Sequence, residues 1–308
     1  MPKIAIVGSG LIGRAWATVF ASHGWTTALY DPVPGVAEAA KAHIARNLKE
    51  LADLDLVKDA EGSAKNLVAC ATMAEALKGC AFVQENGPEK VEAKIAIHKE
   101  IDALAPASAI VVSSTSFMFS SLWAKDLTHR ARVLVAHPVN PPHLVPIVEL
   151  CPAPWTDPKV VEKARVIYEK VGQVPITVKK EIDGFVLNRL QAVLMAEAFD
   201  LVGSGVVSPE DLDKTIKDGL GLRWSFMGPF ETIELNAPGG IPDYNQRYGP
   251  SLTNLTGRKV FTKANEKAIM AEWPGEQSPE RIARLSKWRD GRLAALKAHK
   301  RGAKKKPA

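Results

Sequence analysis

A chain of 308 residues, 46% apolar and 24% charged, is long enough for two domains and for a core that needs neither disulfides nor metal to hold it. Its three cysteines, Cys70, Cys80 and Cys151, are odd in number and lack metal-ligand spacing. This excludes a disulfide framework or a cysteine metal centre and predicts reduced thiols in a cytoplasmic protein. The net charge of +6 gathers at one end, where residues 281–308 hold eleven Lys or Arg against the single acid Asp290, so a basic nucleic-acid-binding face is not expected.

In chain order, the first half alternates short apolar runs with helical spacing. The runs at 4–7, 26–30, 67–71, 81–84, 109–113, 133–136 and 146–150 read as strands, and stretches such as 11–23, 36–51 and 90–104 carry the period of helices. A helix at 157–171 and a strand at 175–178 follow. Continuous apolar strands separated by helices predict an α/β domain of Rossmann type, a mostly parallel sheet with helices on both faces. The opening residues lack a secretory signal and no stretch stays apolar for eighteen residues, so no membrane association is expected.

Between the first strand and the first helix lies Gly8-Ser9-Gly10-Leu11-Ile12-Gly13, a GxGxxG turn. Gly8 permits the tight bend, Gly10 admits a pyrophosphate, and Gly13 lets the helix approach the strand. The free N–H groups of the helix start, at Leu11 and Ile12, face the anion. Asp31 ends the second strand, where a carboxylate hydrogen-bonds a ribose 2′-hydroxyl and repels the 2′-phosphate of NADP. Pro32 follows it and offers no neutralising charge, so the expected cofactor is NAD, with no metal.

After Asp183 the strand signal stops. Residues 184–205 read as one long helix, apolar on more than one face, with Phe185, Leu187, Leu190, Leu194 and Ala198 along a shared stripe. Ser208-Pro209-Glu210-Asp211 opens the next helix with a cap, a proline at the first helical position and acids in the first turn. Further helices are expected at about 225–235 and 279–297. The expected organisation is a cofactor domain at 1–183 and an all-helical domain at 184–308, ending in a basic tail at about 300–308.

Several segments together resemble the 3-hydroxyacyl-CoA dehydrogenase family over nearly the whole chain. They are Gln84-Glu85-Asn86-Gly87-Pro88-Glu89, Ser113-Ser114-Thr115-Ser116, Val135-Ala136-His137-Pro138-Val139-Asn140-Pro141-Pro142, Pro146-Ile147-Val148-Glu149-Leu150 and Gly184-Phe185-Val186-Leu187-Asn188-Arg189. Segments 137–150, 184–191 and 219–232 are most similar to the lambda-crystallin / L-gulonate 3-dehydrogenase branch. The resemblance implies that His137 is the general acid/base and Glu149 its partner. It implies that Ser116 and Asn188 hydrogen-bond the substrate oxygen, and that Glu89, Lys94, Ser116 and Asn140 line the cofactor site.

The chemistry agrees with that reading. Oxidising a secondary alcohol requires a base for the hydroxyl proton while hydride leaves the same carbon, and an unperturbed imidazole titrates near neutrality. A carboxylate on its far nitrogen fixes the tautomer and stabilises the imidazolium. Arg223, in what reads as a Gly-rich turn of the helical domain, occupies a position where the free-acid branch resembled here carries arginine. A guanidinium fork suits a bare carboxylate. The implied reaction is NAD-dependent oxidation of a free L-3-hydroxy acid, with L-gulonate first. Alternatives are 3-hydroxybutyrate, L-carnitine or an L-3-hydroxyacyl-CoA, and, from another class, a non-catalytic crystallin-like NAD-binding protein. The resemblance further implies a homodimer formed through the helical domain.

Overall fold

An eight-stranded sheet carries the first half of the chain, in a computed structural model that describes residues 1–274 and 278–302. The strands are β1 (Lys3–Val7), β2 (Thr26–Tyr30), β3 (Leu67–Ala69), β4 (Phe82–Glu85), β5 (Ile110–Ser113), β6 (Val133–Pro138), β7 (Ile147–Pro152) and β8 (Val174–Thr177). Their order across the sheet is β3-β2-β1-β4-β5-β6-β7-β8. All neighbouring pairs are parallel except β6 and β7, which run antiparallel. The chain winds outward from β1 to β3, then returns to β4 on the other side. Between β1 and β4 the winding reverses, and such a switch point opens a crevice at the carboxyl ends of the strands.

Helices α1 (Leu11–Ser22), α2 (Val36–Ala52), α3 (Ala60–Lys65), α4 (Met73–Leu77), α5 (Val91–Leu104) and α6 (Pro158–Lys170) cover the sheet. Side chains alternate across a strand, and here both faces are buried. Ile4 and Ile6 enter one core with Trp16, Phe20, Leu29, Ile44, Phe82 and Tyr168. Ala5 and Val7 enter the other with Val83, Ile101, Val111, Val135, Cys151 and Phe185. That is why the strands read as continuous apolar runs.

A buried polar chain crosses the first core. Trp16 Nε1 and Gln84 Nε2 both donate to Ser114 Oγ, at 3.0 and 2.8 Å, and Ser114 Oγ donates to Asn86 Oδ1 at 2.8 Å. Tyr168 OH donates to Gln84 Oε1, and burial pushes its phenol well above the usual range. The chain ties α1 and α6 to the ends of β4 and β5, which form one wall of the crevice.

The chain divides into two compact units, Met1–Met195 and Ala196–Ala308. The second contains only helices among its described residues: the end of α7 (Leu187–Gly203), α8 (Pro209–Thr215), a π-helical turn Ile216–Leu220, α9 (Gly221–Trp224), α10 (Pro229–Glu234), α11 (Gly240–Thr256), α12 (Lys263–Glu272) and α13 (Pro279–Gly302). No helix among the described residues is long and apolar enough to cross a membrane. The lysine-rich end, 303–308, lies outside the described residues.

Several boundaries differ from the sequence reading. The long helix begins at Leu187, not 184, because Gly184 and Phe185 take left-handed backbone with φ of 72° and 50°. Phe185 therefore leaves the helical stripe and enters the second core. The helix expected from 225 starts at Pro229, since a residue before proline is driven out of helical backbone and Gly228 is extended. Helices α11 and α12 escaped the sequence reading. The first begins at Gly240 and carries Pro250 in its interior, both poor helix signals.

Replacing Tyr168 with Phe removes the donor to Gln84 and leaves a buried amide oxygen without that partner. We expect a loss of about 1–3 kcal/mol in urea unfolding with an unchanged m-value. A variant as stable as the parent would show that the polar chain is not structural.

Candidate active site

The glycine turn meets the requirements of a dinucleotide cradle. Gly8 has φ of 91°, which an L side chain resists, and a Cβ there would lie 2.8 Å from the Asn86 carbonyl oxygen. At Gly13 a Cβ would fall 1.9 Å from the Gly8 carbonyl oxygen, so α1 packs on the turn only because the side chain is absent. Gly10 faces open space, with nothing within 4 Å of a built Cβ. It caps α1 without a side-chain hydrogen bond, leaving the first N–H groups, those of Leu11 and Ile12, free for an anion. Asp31 stands beside the turn at the end of β2. Its carboxylate accepts from Ser9 N at 2.8 Å and Val33 N at 3.0 Å.

His137 and Glu149 meet through sheet register. In the antiparallel pair β6–β7, His137 lies directly opposite Glu149, so both side chains leave the same face. The spacing of twelve residues is one hairpin. Glu149 is the third residue of β7 rather than its end, because that strand begins at Ile147 and runs on to Pro152. His137 Nδ1 lies 2.7 Å from Glu149 Oε2, and both residues are buried. The other oxygen, Oε1, accepts from Val186 N at 2.9 Å and Leu187 N at 3.0 Å, at the start of α7. A carboxylate at a helix start is favoured by the helix dipole. Because an ionised carboxylate only accepts, the neutral imidazole is assigned its proton on Nδ1, leaving Nε2 as a base.

Ser116 follows β5 and is clamped by its backbone. Its N–H donates to Glu89 Oε1 at 2.6 Å, and its carbonyl accepts from Asn188 Nδ2 at 2.8 Å. Thr115 Oγ1 donates to Glu89 Oε2 at 2.8 Å. The Ser116 hydroxyl has no protein partner among the described residues. The structure thus brings Ser116, Asn188 and Glu89 together. Asn140 is exposed in the loop after β6, and the Asn140–Pro141 peptide is cis.

Lys94 lies deeper than a cofactor-lining residue. Its ammonium donates to Glu85 Oε1 and Oε2, at 2.8 and 2.9 Å, and to the Gly87 carbonyl at 3.1 Å. With all three donors on protein acceptors, it acts on the crevice through the 85–87 turn. Ser113 Oγ also donates to Glu85, at 2.6 Å, and the His98 ring lies 3.8 Å away. Burial alone would push the Glu85 carboxyl up. The neighbouring His98 and Lys94, with the hydrogen bonds from Lys94 and Ser113, outweigh it and hold the carboxyl below its ordinary range. Because burial pushes the His98 imidazole itself down, towards its neutral form, the charge that balances Glu85 is that of Lys94.

Sequence reading gave no roles to Glu85, Ser113 and His98. A signal existed: Lys94 and His98, four residues apart on one face of α5, follow an apolar strand that ends in a buried acid. Arg223 is the third residue of α9, the helix that continues the π-helical turn. The glycines that suggested a turn belong to this widened helix, where a Cβ at Gly221 would lie 2.8 Å from the Ile216 carbonyl oxygen. Arg223 makes no ion pair among the described residues. No cluster of metal-ligating side chains occurs among the described residues.

A switch-point crevice, a glycine cradle with its acid, and a histidine held by a carboxylate define an NAD-binding oxidoreductase. The chain belongs to the 3-hydroxyacyl-CoA dehydrogenase family: the family's NAD-binding domain matches residues 3–182 and its C-terminal domain residues 184–282. Lambda-crystallin of Oryctolagus cuniculus is 40% identical over 310 residues, covering 96% of both chains. L-carnitine dehydrogenase of Pseudomonas putida is 36% identical, covering 95% of this chain and 92% of that one. Among solved structures, a 5-formyl-3-hydroxy-2-methylpyridine 4-carboxylic acid 5-dehydrogenase, an NAD+ dependent dismutase, superposes with a TM-score of 0.76. It is 27% identical and the match covers 99% of this chain and 100% of that one.

Replacing Lys94 with Met would strand the buried Glu85 carboxylate. We expect the variant to be less stable at neutral pH by about 3–5 kcal/mol. The folded Glu85 is depressed, so the stability it contributes is present above the ordinary carboxylate range and is lost as pH falls through the lower folded value. The gap between variant and parent should therefore narrow in acid. Paired urea titrations across acid and neutral pH, showing a gap that stays constant, would contradict the ionised pair.

Proposed function

We propose that the protein oxidises the 3-hydroxyl of a free L-3-hydroxy acid, with L-gulonate, giving 3-dehydro-L-gulonate, as its substrate. The observation that carries this reading is the His137–Glu149 pair, buried and oriented at the carboxyl edge of a dinucleotide-binding sheet. Bound NAD supplies a nicotinamide ring that takes up the hydride. His137 Nε2 removes the hydroxyl proton, while Glu149, itself held by the start of α7, keeps Nδ1 protonated and stabilises the imidazolium. Ser116, fixed at both backbone ends, turns its hydroxyl to the substrate oxygen, and Asn188 holds the Ser116 carbonyl in place. Asp31 takes the ribose diol and disfavours a 2′-phosphate.

A free acid, rather than an acyl-CoA, is supported by Arg223, whose guanidinium has no ion-pair partner among the described residues and so is available to a carboxylate. Two relatives, by name, act on L-carnitine and on a pyridine carboxylic acid. We read the protein as a homodimer. Support comes from α7, whose apolar side chains point outward: Leu190 is 65% exposed, Val193 57% and Phe199 73%.

Absorbance of NADH should rise fastest with L-gulonate in a panel with L-3-hydroxybutyrate, L-carnitine and 3-hydroxybutyryl-CoA. A higher kcat/KM for the CoA ester would sink the free-acid reading. His137→Asn should lower kcat by about 10²- to 10⁴-fold while NADH still binds by fluorescence titration. Arg223→Met should raise KM for the acid by roughly ten- to a hundredfold, the loss of one charged hydrogen-bond pair, with KM for NAD unmoved.

A further inference from the structure

The dyad has a neighbour with an unusual backbone. Gly184 and Phe185 are consecutive left-handed residues, immediately before Val186 and the start of α7. Glycine adopts that region freely, but a phenylalanine with φ of 50° is strained. Strain of this kind persists only where the surroundings demand it. Phe185 is fully buried in the core that contains Val135 and Cys151, neighbours in the strands that carry His137 and Glu149. Its ring centroid lies 5.3 Å from that of His137, with the planes inclined by 38°. The next two backbone N–H groups donate to Glu149. A run of four residues thus touches both members of the pair, one with an aromatic ring and the other with two hydrogen bonds.

A hydrogen bond at Nδ1 alone does not fix the plane of an imidazole. The ring can still rock about its Cβ–Cγ bond within the tolerance of that hydrogen bond, carrying Nε2 with it. A flat neighbour against one ring face removes that freedom. We infer that Phe185 is a positioning residue: its ring sets the plane of the His137 imidazole and so the direction of Nε2. The left-handed backbone at 184–185 is what lets one short segment place that ring and still deliver the N–H groups of Val186 and Leu187 to Glu149. Glycine at 185 would relieve the strain but leave the imidazole face uncovered. The inference rests on the reading of His137 as the acid/base. A misplacement of about 1 Å at a reacting group costs on the order of a hundredfold in rate, so a swinging ring is enough to matter.

The test compares Phe185→Leu, which keeps apolar bulk and loses the flat face, with Phe185→Tyr, which keeps the ring. We expect the Leu variant to lose kcat by about ten- to a hundredfold, with KM for NAD within about twofold. We expect the Tyr variant to retain most of the parent kcat. In the parent itself, the His137 ring Cε1–H resonance, assigned by its disappearance in His137→Asn, should carry a ring-current shift from the Phe185 ring, and the shift should vanish in the Leu variant. Parent-like kcat in Phe185→Leu beside an inactive His137→Asn would overturn the positioning role alone. Equal losses in Leu and Tyr that track the fall in Tm would overturn it as merely structural, as would an unshifted resonance in the parent. A fully active His137→Asn would instead overturn the acid/base reading beneath it.

Discussion

Glu149 is the constraint on which the arrangement turns. A buried carboxylate is costly unless hydrogen-bonded, and this one is bonded on both oxygens, to the His137 ring on one side and to two backbone N–H groups on the other. Those donors come from β6, one residue before its end, and from the start of α7, far along the chain. The β6–β7 register, the left-handed entry to α7 and the imidazole orientation therefore cannot change independently. Shifting the register by one residue would send Glu149 to the opposite face of the sheet.

The same device recurs along the carboxyl edge of the sheet. Asp31 accepts from Ser9 N, Glu85 from Gly87 N, Glu89 from Ser116 N and Glu149 from Val186 N. Each acid pins the backbone of a loop that lines the crevice. Charge-assisted hydrogen bonds are about twice as strong as neutral ones, and they suit loops that lack ladder partners of their own. Lys94 extends this scheme. It balances the most deeply buried of the four acids and ties the 85–87 turn to α5. That turn in turn lies against Gly8, so a charge pair buried out of sight sets the shape of the nucleotide cradle.

L-carnitine dehydrogenase and the pyridine carboxylic acid dehydrogenase are named for different substrates, and each matches this chain over nearly its full length. A common dinucleotide crevice and hydride chemistry leave substrate choice to groups outside the dyad, which is the usual division between a fold and its sites. Among such groups we propose Arg223, which follows a π-helical turn, and widened helical turns recur at functional sites.

The sequence by itself determined the α/β sheet, its helical successor, the glycine cradle and Asp31, because each depends on local period or on a turn that only glycine permits. His137 and Glu149 were legible as candidates through motif resemblance and chemistry. Their contact was decided by tertiary structure, since only the antiparallel pairing of β6 and β7 places residues twelve apart face to face. Local pattern misplaced Phe185 on a helix stripe, because its left-handed backbone is imposed by the core and the carboxylate around it. Lys94 was placed at the cofactor by resemblance, while the fold set it on Glu85, nine residues away in sequence. Burial is a property of the assembled sheet and helices, and it decides whether a charge faces solvent, a ligand or another charge.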